Sequence, residues 1–126
     1  MNDITPSIKQ GKTVIESYGG GRFRISGQVH DGGVIVLENE VHAWDCNDAG
    51  ALSLDSLSTV INAAPRPEIL LIGMGDVMQL LDPELRAALS AEGIVADGMD
   101  TGAACRTFNV LQGEDRRVAA ALIAIS

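Results

Sequence analysis

Gly73-Met74-Gly75-Asp76 follows the apolar run Glu68–Ile72, and Asp97 ends the next apolar run about twenty residues on. Glycines at such a turn let a pyrophosphate approach backbone amides at a helix start, while the later acid would bond a ribose. The pattern stops short of a dinucleotide site. Met78 stands where the third glycine belongs, and the strong helix start comes only at Asp82-Pro83, too late to aim its dipole at the turn. A chain of 126 residues also lacks room for a two-half nucleotide fold. The segment reads as a tight strand-to-helix turn, and no cofactor is expected.

A second constellation opens at Met99-Asp100-Thr101-Gly102. On a helical wheel Ala104, Phe108 and Leu111 form one stripe, and Gly102, Arg106 and Asn109 form the opposite one. Helix-start amides at Thr101 to Ala103, a missing side chain at Gly102 and the Arg106 guanidinium would together suit a carboxylate- or phosphate-sized anion. The plain alternative is a polar face with Arg106 in solvent. Cys105 lies on the flank without a helix-local base, and reads as a small semi-buried hydrophobe rather than a nucleophile. His30, His42, Asp45 and Cys46 could be gathered around a metal, but their spacing matches no zinc pattern and no metal is expected. Neither a GxSxG, a Walker loop nor an HExxH occurs, so no catalytic residue is assigned and the chain reads as a binder rather than an enzyme.

The elements that must position these residues can be traced along the chain. Residues 1–12 are polar with Pro6 and Gly11, and read as a flexible arm before a single domain over 13–126. Thr13–Tyr18 and Arg22–Ser26 are strand-like runs separated by three glycines, and Arg22-Phe23-Arg24-Ile25 alternates as a strand with one solvated face does. After the turn signal Asp31-Gly32-Gly33, Val34–Leu37 is continuous and β-branched, the mark of burial on both faces. With Val41–Trp44 this makes an N-terminal β-meander. Leu54, Leu57, Val60 and Ile61 then recur at helical spacing behind Ser53 as N-cap. Asp82-Pro83-Glu84 opens a helix, with Gly93 at its C-terminal cap. Ile94–Asp97 is a strand, Thr101–Gln112 a helix, and Arg117–Ile125 a closing strand. Strand, helix and strand over 68–97 have the size of a right-handed βαβ unit, which makes the domain α/β.

Composition bounds the partners. The chain is 46% hydrophobic but only 3% aromatic, so Val, Ile, Leu and Ala must build the core. Net charge is −8, and no Lys or Arg falls between Ile25 and Pro65 while Asp31, Glu38, Glu40, Asp45, Asp48 and Asp55 do. Such a surface repels a polyanion, so no nucleic acid is expected; a solvated face or a dock for a basic partner remain. Two cysteines without a CxxC pair, and an N-terminus without an apolar stretch, point to reduced thiols and a cytoplasmic setting. The longest apolar run, Val118–Ile125, has eight residues against the ~20 of a membrane span.

Taken in order, Tyr18-Gly-Gly-Gly, Val34-Ile-Val-Leu, Trp44, Ile72-Gly73-Met74-Gly75, Met99-Asp100-Thr101-Gly102-Ala-Ala-Cys105-Arg106-Thr107-Phe108-Asn109-Val-Leu111 and Glu114 to the Ala-rich end resemble the Mth-type domain family of unknown function. The resemblance covers about residues 10–125. It implies a three-layer β+α/β/α fold around a mixed central sheet, no established enzyme activity, and assembly of respiratory complex I in one branch. That branch makes a protein partner, such as a respiratory-chain subunit, the leading expectation, held peripheral to the inner membrane through that partner. The family motif falls on Gly73, Gly75, Thr101, Cys105, Arg106, Thr107 and Asn109. With Gly102 these are the candidate ligand-binding residues should the domain take a small anion or metabolite instead. Met74 stands where many relatives carry threonine, and Phe108 where many carry tyrosine, so two hydroxyls are missing from that region.

Overall fold

The computed structural model describes residues 2–4 and 12–126. Strands β1 (Asn2–Asp3), β2 (Ile15–Gly19), β3 (Arg22–Ile25) and β4 (Gln28–Asp31) form an antiparallel sheet in that order. A second, five-stranded sheet comprises β5 (Gly33–Val36), β6 (Val41–Trp44), β7 (Ile69–Gly73), β8 (Val95–Met99) and β9 (Val118–Leu122), in the order β6-β5-β9-β7-β8. In it β7 runs parallel to β8 and β9, whereas β5 is antiparallel to β6 and β9. The helices are α1 (Ser58–Ile61), α2 (Pro83–Ala91) and α3 (Thr101–Gly113).

The expected meander therefore divides. The chain leaves the first sheet at Gly32 and enters the central sheet at Gly33. The physical reason lies in β5, which is buried at all four positions and needs cover on both faces. Its place between β6 and β9 in the central sheet supplies it. Gly33 fits that place because a Cβ there would lie 2.8 Å from the Trp44 carbonyl oxygen. Strand β4 was not anticipated: its Gln28, Val29 and Asp31 side chains are exposed, so no apolar alternation marks it.

Two cores lie on the two faces of the central sheet. On one, Leu57, Val60, Leu85 and Leu89 from the α1 and α2 region pack on Ile35, Leu70, Ile72, Ala119 and Ala121. On the other, Ala104, Cys105 and Phe108 of α3 share a cluster with Leu71, Ala120 and Leu122, while Ile15, Phe23 and Ile25 of the first sheet meet Val34 and Val36. Helix α3 and the first sheet thus occupy one layer side by side, the central sheet the second, and α1 with α2 the third. The alanines of β9 let helix and sheet close tightly over the middle strand. This is the three-layer mixed α/β arrangement that the resemblance implies.

Local signals set the helix that separates β7 from β8. The Asp82 carboxylate accepts from the Glu84 amide at 3.0 Å, a cap typically contributing about 1 kcal/mol. At the other end Gly93 adopts φ +81°, which lets its own N–H reach the Ser90 carbonyl and that of Ile94 reach Leu89. The helix expected from Leu54 is instead a 3-10 turn at Asp55–Leu57 running into the single turn of α1. There the Ser53 hydroxyl accepts from the Ser56 amide, so the turn is held by local side-chain bonds. Of the segment 1–12 expected to be a loose arm, Asn2–Asp3 pair with Tyr18 and Ser17 and Ile4 donates to the Glu16 carbonyl. Lys12 reaches Asp115 at 2.8 Å. Residues 1 and 5–11, where the rest of that expectation falls, lie outside the described residues.

Candidate functional site

The Gly73–Gly75 turn and the start of α3 meet, and Thr101 joins them. Its hydroxyl accepts from the Gly75 amide at 3.0 Å and donates to the Ile123 carbonyl at 2.7 Å, while its own amide donates to the Gly75 carbonyl at 2.9 Å. The Met74 amide donates to Met99, and Ile123 donates to Gly73. The ends of β7, β8 and β9 are thereby stitched to the helix start, and Thr101 is fully buried. A Cβ on Gly73 would come within 2.9 Å of the Thr101 hydroxyl, so the glycine permits the close approach. Gly75 has φ +108°, a conformation that disfavours any larger residue.

These bonds use the groups an anion would need. The Asp100 carboxylate caps α3 by accepting from the Ala103 amide at 2.8 Å, and the Thr101 amide is committed to Gly75. Two of the donors expected to face a ligand therefore have acceptors inside the fold.

The stripe of Gly102, Arg106 and Asn109 does not face open solvent as a unit. It faces β2. A Cβ on Gly102 would lie 2.6 Å from the Tyr18 hydroxyl oxygen, and the Arg106 guanidinium donates to that same oxygen at 2.8 Å. Asn109 accepts from the Ile15 amide at 3.0 Å and donates to the Ile15 carbonyl at 2.8 Å, completing both backbone groups of one β2 residue. One turn on, Gln112 donates to Thr13. The stripe is a polar seam between helix and first sheet, with Gly102 buried, Asn109 half-buried and Arg106 exposed. A helical wheel cannot distinguish solvent from a second sheet, which is why the packing reason for this guanidinium was missed.

Cys105 is sealed rather than half-exposed. Burial pushes its thiol up to about 12, outweighing the nearby Arg106 charge, so at neutral pH it is a protonated hydrophobe. Burial also raises Cys46, whose Sγ donates to the Asp48 carbonyl. Met74 and Phe108 are core side chains, and Thr107 is half-buried. His42 pairs with Glu40 at 2.9 Å, and among the described residues no three His, Cys, Asp or Glu side chains converge as a metal set. No helix among them is long and apolar enough to cross a membrane.

What the sequence did not single out is the loop between β7 and α2. Val77 is 70%, Met78 54% and Leu80 87% exposed, whereas Leu81 beside them is buried. Four apolar residues crowded between Gly75 and the capping Asp82, ahead of the helix start rather than within it, were the available signal.

The fold has counterparts among known proteins. The chain superposes with a TM-score of 0.84 on a Bartonella henselae protein described as an outer membrane protein, at 39% identity, covering 92% of this chain and 98% of that one. On a Bordetella pertussis protein described as a Mth938-like domain the TM-score is 0.79 at 25% identity, covering 96% and 91%. It is 37% identical over 109 residues to NADH dehydrogenase (ubiquinone) 1 alpha subcomplex assembly factor 3 of Xenopus tropicalis, covering 86% of this chain and 60% of that protein. The match thus spans about three-fifths of that assembly factor. Residues 15–123 match the family described as protein of unknown function (DUF498/DUF598), and the chain belongs to that family.

Proposed function

We propose that this domain is a non-catalytic protein-binding unit that serves the assembly of a larger complex, with respiratory-chain subunits as the partner class. The observation that carries the reading is the exposed loop of Val77, Met78 and Leu80. A chain that buries most of its large apolar side chains leaves three of them within four residues of one loop in water. Covering one such side chain stabilises a complex by roughly 1.5–3 kcal/mol before the costs of association, and contiguous exposed apolar surface is a feature of partner-binding sites. The neighbouring turn and helix start, by contrast, spend polar groups inside the fold, Gly75 on Thr101, Ala103 on Asp100 and Arg106 on Tyr18, and offer few to a substrate. Relatives named as assembly factors for NADH dehydrogenase give the partner class. The setting that follows is cytoplasmic, peripheral to the inner membrane through the partner.

The test is capture from the native cell with tagged protein, followed by identification of what is retained. Respiratory complex I subunits retained by the parent and lost by the Val77→Ser, Met78→Ser, Leu80→Ser variant support the reading. Equal retention by both proteins, or none by either, overturns it.

A further inference from the structure

The central sheet has two edges, and they differ. At β8 the Arg86 guanidinium donates to the Ala96 carbonyl at 2.9 Å, and the 76–81 loop lies over Gly98, with the Gln79 carbonyl oxygen 3.3 Å from where a Gly98 Cβ would stand. A positive side chain on an edge carbonyl guards that edge in the way natural sheets block added strands, while the loop covers the adjoining face. No described residue does this for β6.

The register shows which groups β6 leaves open. Leu37 donates to Glu40 across the hairpin, so in the alternation of an antiparallel pair His42 and Trp44 bond to β5. The N–H and C=O groups of Val41 and Ala43 therefore point away from the sheet, and no described group bonds to them. Open clefts lie at both ends of this edge. One, of about 430 Å³, has Gln28 and His30 of β4 opposite Glu40 and Val41. The other, of about 500 Å³, places Asp31, Asp45 and Asp55 around Ala43. Its wall is held by Trp44, whose indole N–H donates to the Ser56 carbonyl at 2.7 Å. Arg22 answers Asp31, but no described cation pairs with Asp45 or Asp55. Lys12 in the first cleft is engaged by Asp115 and Glu38.

We propose that β6 is a docking edge that takes an extended, lysine- or arginine-bearing segment of a partner protein as an additional strand of the central sheet. Backbone bonds to Val41 and Ala43 would hold the segment, and basic side chains would enter the acidic cleft beside Ala43. A four-residue segment reaches about 13 Å, matching the four residues of β6. The absence of any Lys or Arg from Ile25 to Pro65 supplies the charge complementarity. The proposal rests on the protein-binding reading above, but on a different surface from the Val77–Leu80 loop.

The experiment uses two octapeptide probes, four repeats of Lys-Val and four of Glu-Val, with amide hydrogen exchange of the whole protein followed by NMR. The Lys-Val peptide should slow exchange at Val41 and Ala43 by roughly tenfold or more and leave the already bonded His42 and Trp44 amides little changed. The Glu-Val peptide should do nothing. Ala43→Pro should abolish the effect; because that variant can fail to fold, Asp45→Lys with Asp55→Lys serves beside it, with the same loss at an unchanged melting curve. No slowing with the basic peptide, equal slowing in the charge-reversed variant, or peptide-independent protection accompanied by a dimer in sedimentation would each overturn the proposal. If the edge fails while the loop variant still loses respiratory subunits, the assembly reading stands and this inference alone falls.

Discussion

Gly102 of α3 is a glycine because of Tyr18 of β2: a Cβ at residue 102 would sit 2.6 Å from the phenol oxygen, inside any permitted contact. The helix can thereby approach the first sheet closely enough for Arg106 and Asn109 to bond to it. In an open helix Gly→Ala gains up to about 1 kcal/mol. Here the overlap should reverse the sign, and Gly102→Ala should destabilise by about 1–2 kcal/mol in urea denaturation. With Tyr18→Ala already present the same substitution should be neutral or stabilising, since the phenol that opposes it is gone. Additive effects of the two changes would show that Gly102 answers to something else.

Thr101 should prove the most sensitive of the motif residues, for stability rather than for binding. Thr101→Val keeps the shape but leaves the Gly75 amide and the Ile123 carbonyl without their buried partner. At about 1–3 kcal/mol for each of the two unsatisfied groups the loss should be about 2–6 kcal/mol, whereas Thr101→Ser should retain most of the stability. Similar urea midpoints for the valine and serine variants would mean the two bonds contribute little.

These contacts mark where sequence reasoning reached and where it stopped. Asp82-Pro83 and Gly93 were legible because a cap is made by residues within one turn of each other. Thr101 and Gly73 could be named from the resemblance, yet their joint role depends on Ile123, which is distant in sequence and delivered only by the parallel pairing of β7 with β9. The division of the meander at Gly32 was hidden because apolar alternation reports burial but not the sheet that provides it. The polar seam of α3 was hidden for the same reason. The apolar crowding before Asp82 was visible, but the exposure of Val77 and Leu80 was not, because nothing in a sequence separates an exposed leucine from the buried Leu81 next to it.

Both cysteines should resist a thiol reagent in the folded protein at pH 8 and react on unfolding, because each is buried and raised above its ordinary range. For Cys105 the fold favours the neutral thiol. The associated stability is full below its ordinary 9.0 and declines as pH rises from there toward about 12. Cys105→Ala should flatten that alkaline decline in a urea series at increasing pH. Rapid labelling of the native parent, or identical pH slopes in parent and variant, would show the thiol to be accessible.

Arg106 offers a test of the anion alternative. Arg106→Ala should cost under about 1 kcal/mol, the usual value of one partly exposed hydrogen bond to a hydroxyl. Because the Thr101 and Ala103 amides are already bonded, phosphate should raise the melting temperature of parent and variant equally. A phosphate response confined to the parent would instead establish a specific anion site at Arg106.

Leu80 and Leu81 are adjacent, chemically identical and placed oppositely, which makes them the sharpest internal comparison the loop provides. Leu80 is 87% exposed, so truncating it removes almost no contact made on folding. Leu80→Ala should shift stability by no more than about 0.5 kcal/mol. Leu81 belongs to the core shared with Leu85, Ala96 and Ile72, and its truncation would leave a cavity in close-packed surroundings. Leu81→Ala should therefore cost about 2–4 kcal/mol. If the exposed loop exists for binding, the rank order must invert when capture of respiratory subunits is measured on the folded variants: Leu80→Ala loses partner, and Leu81→Ala, kept well below its lowered melting temperature, retains it. A Leu80→Ala variant that is as destabilised as Leu81→Ala would place that side chain in the core and remove the loop as the basis for a partner.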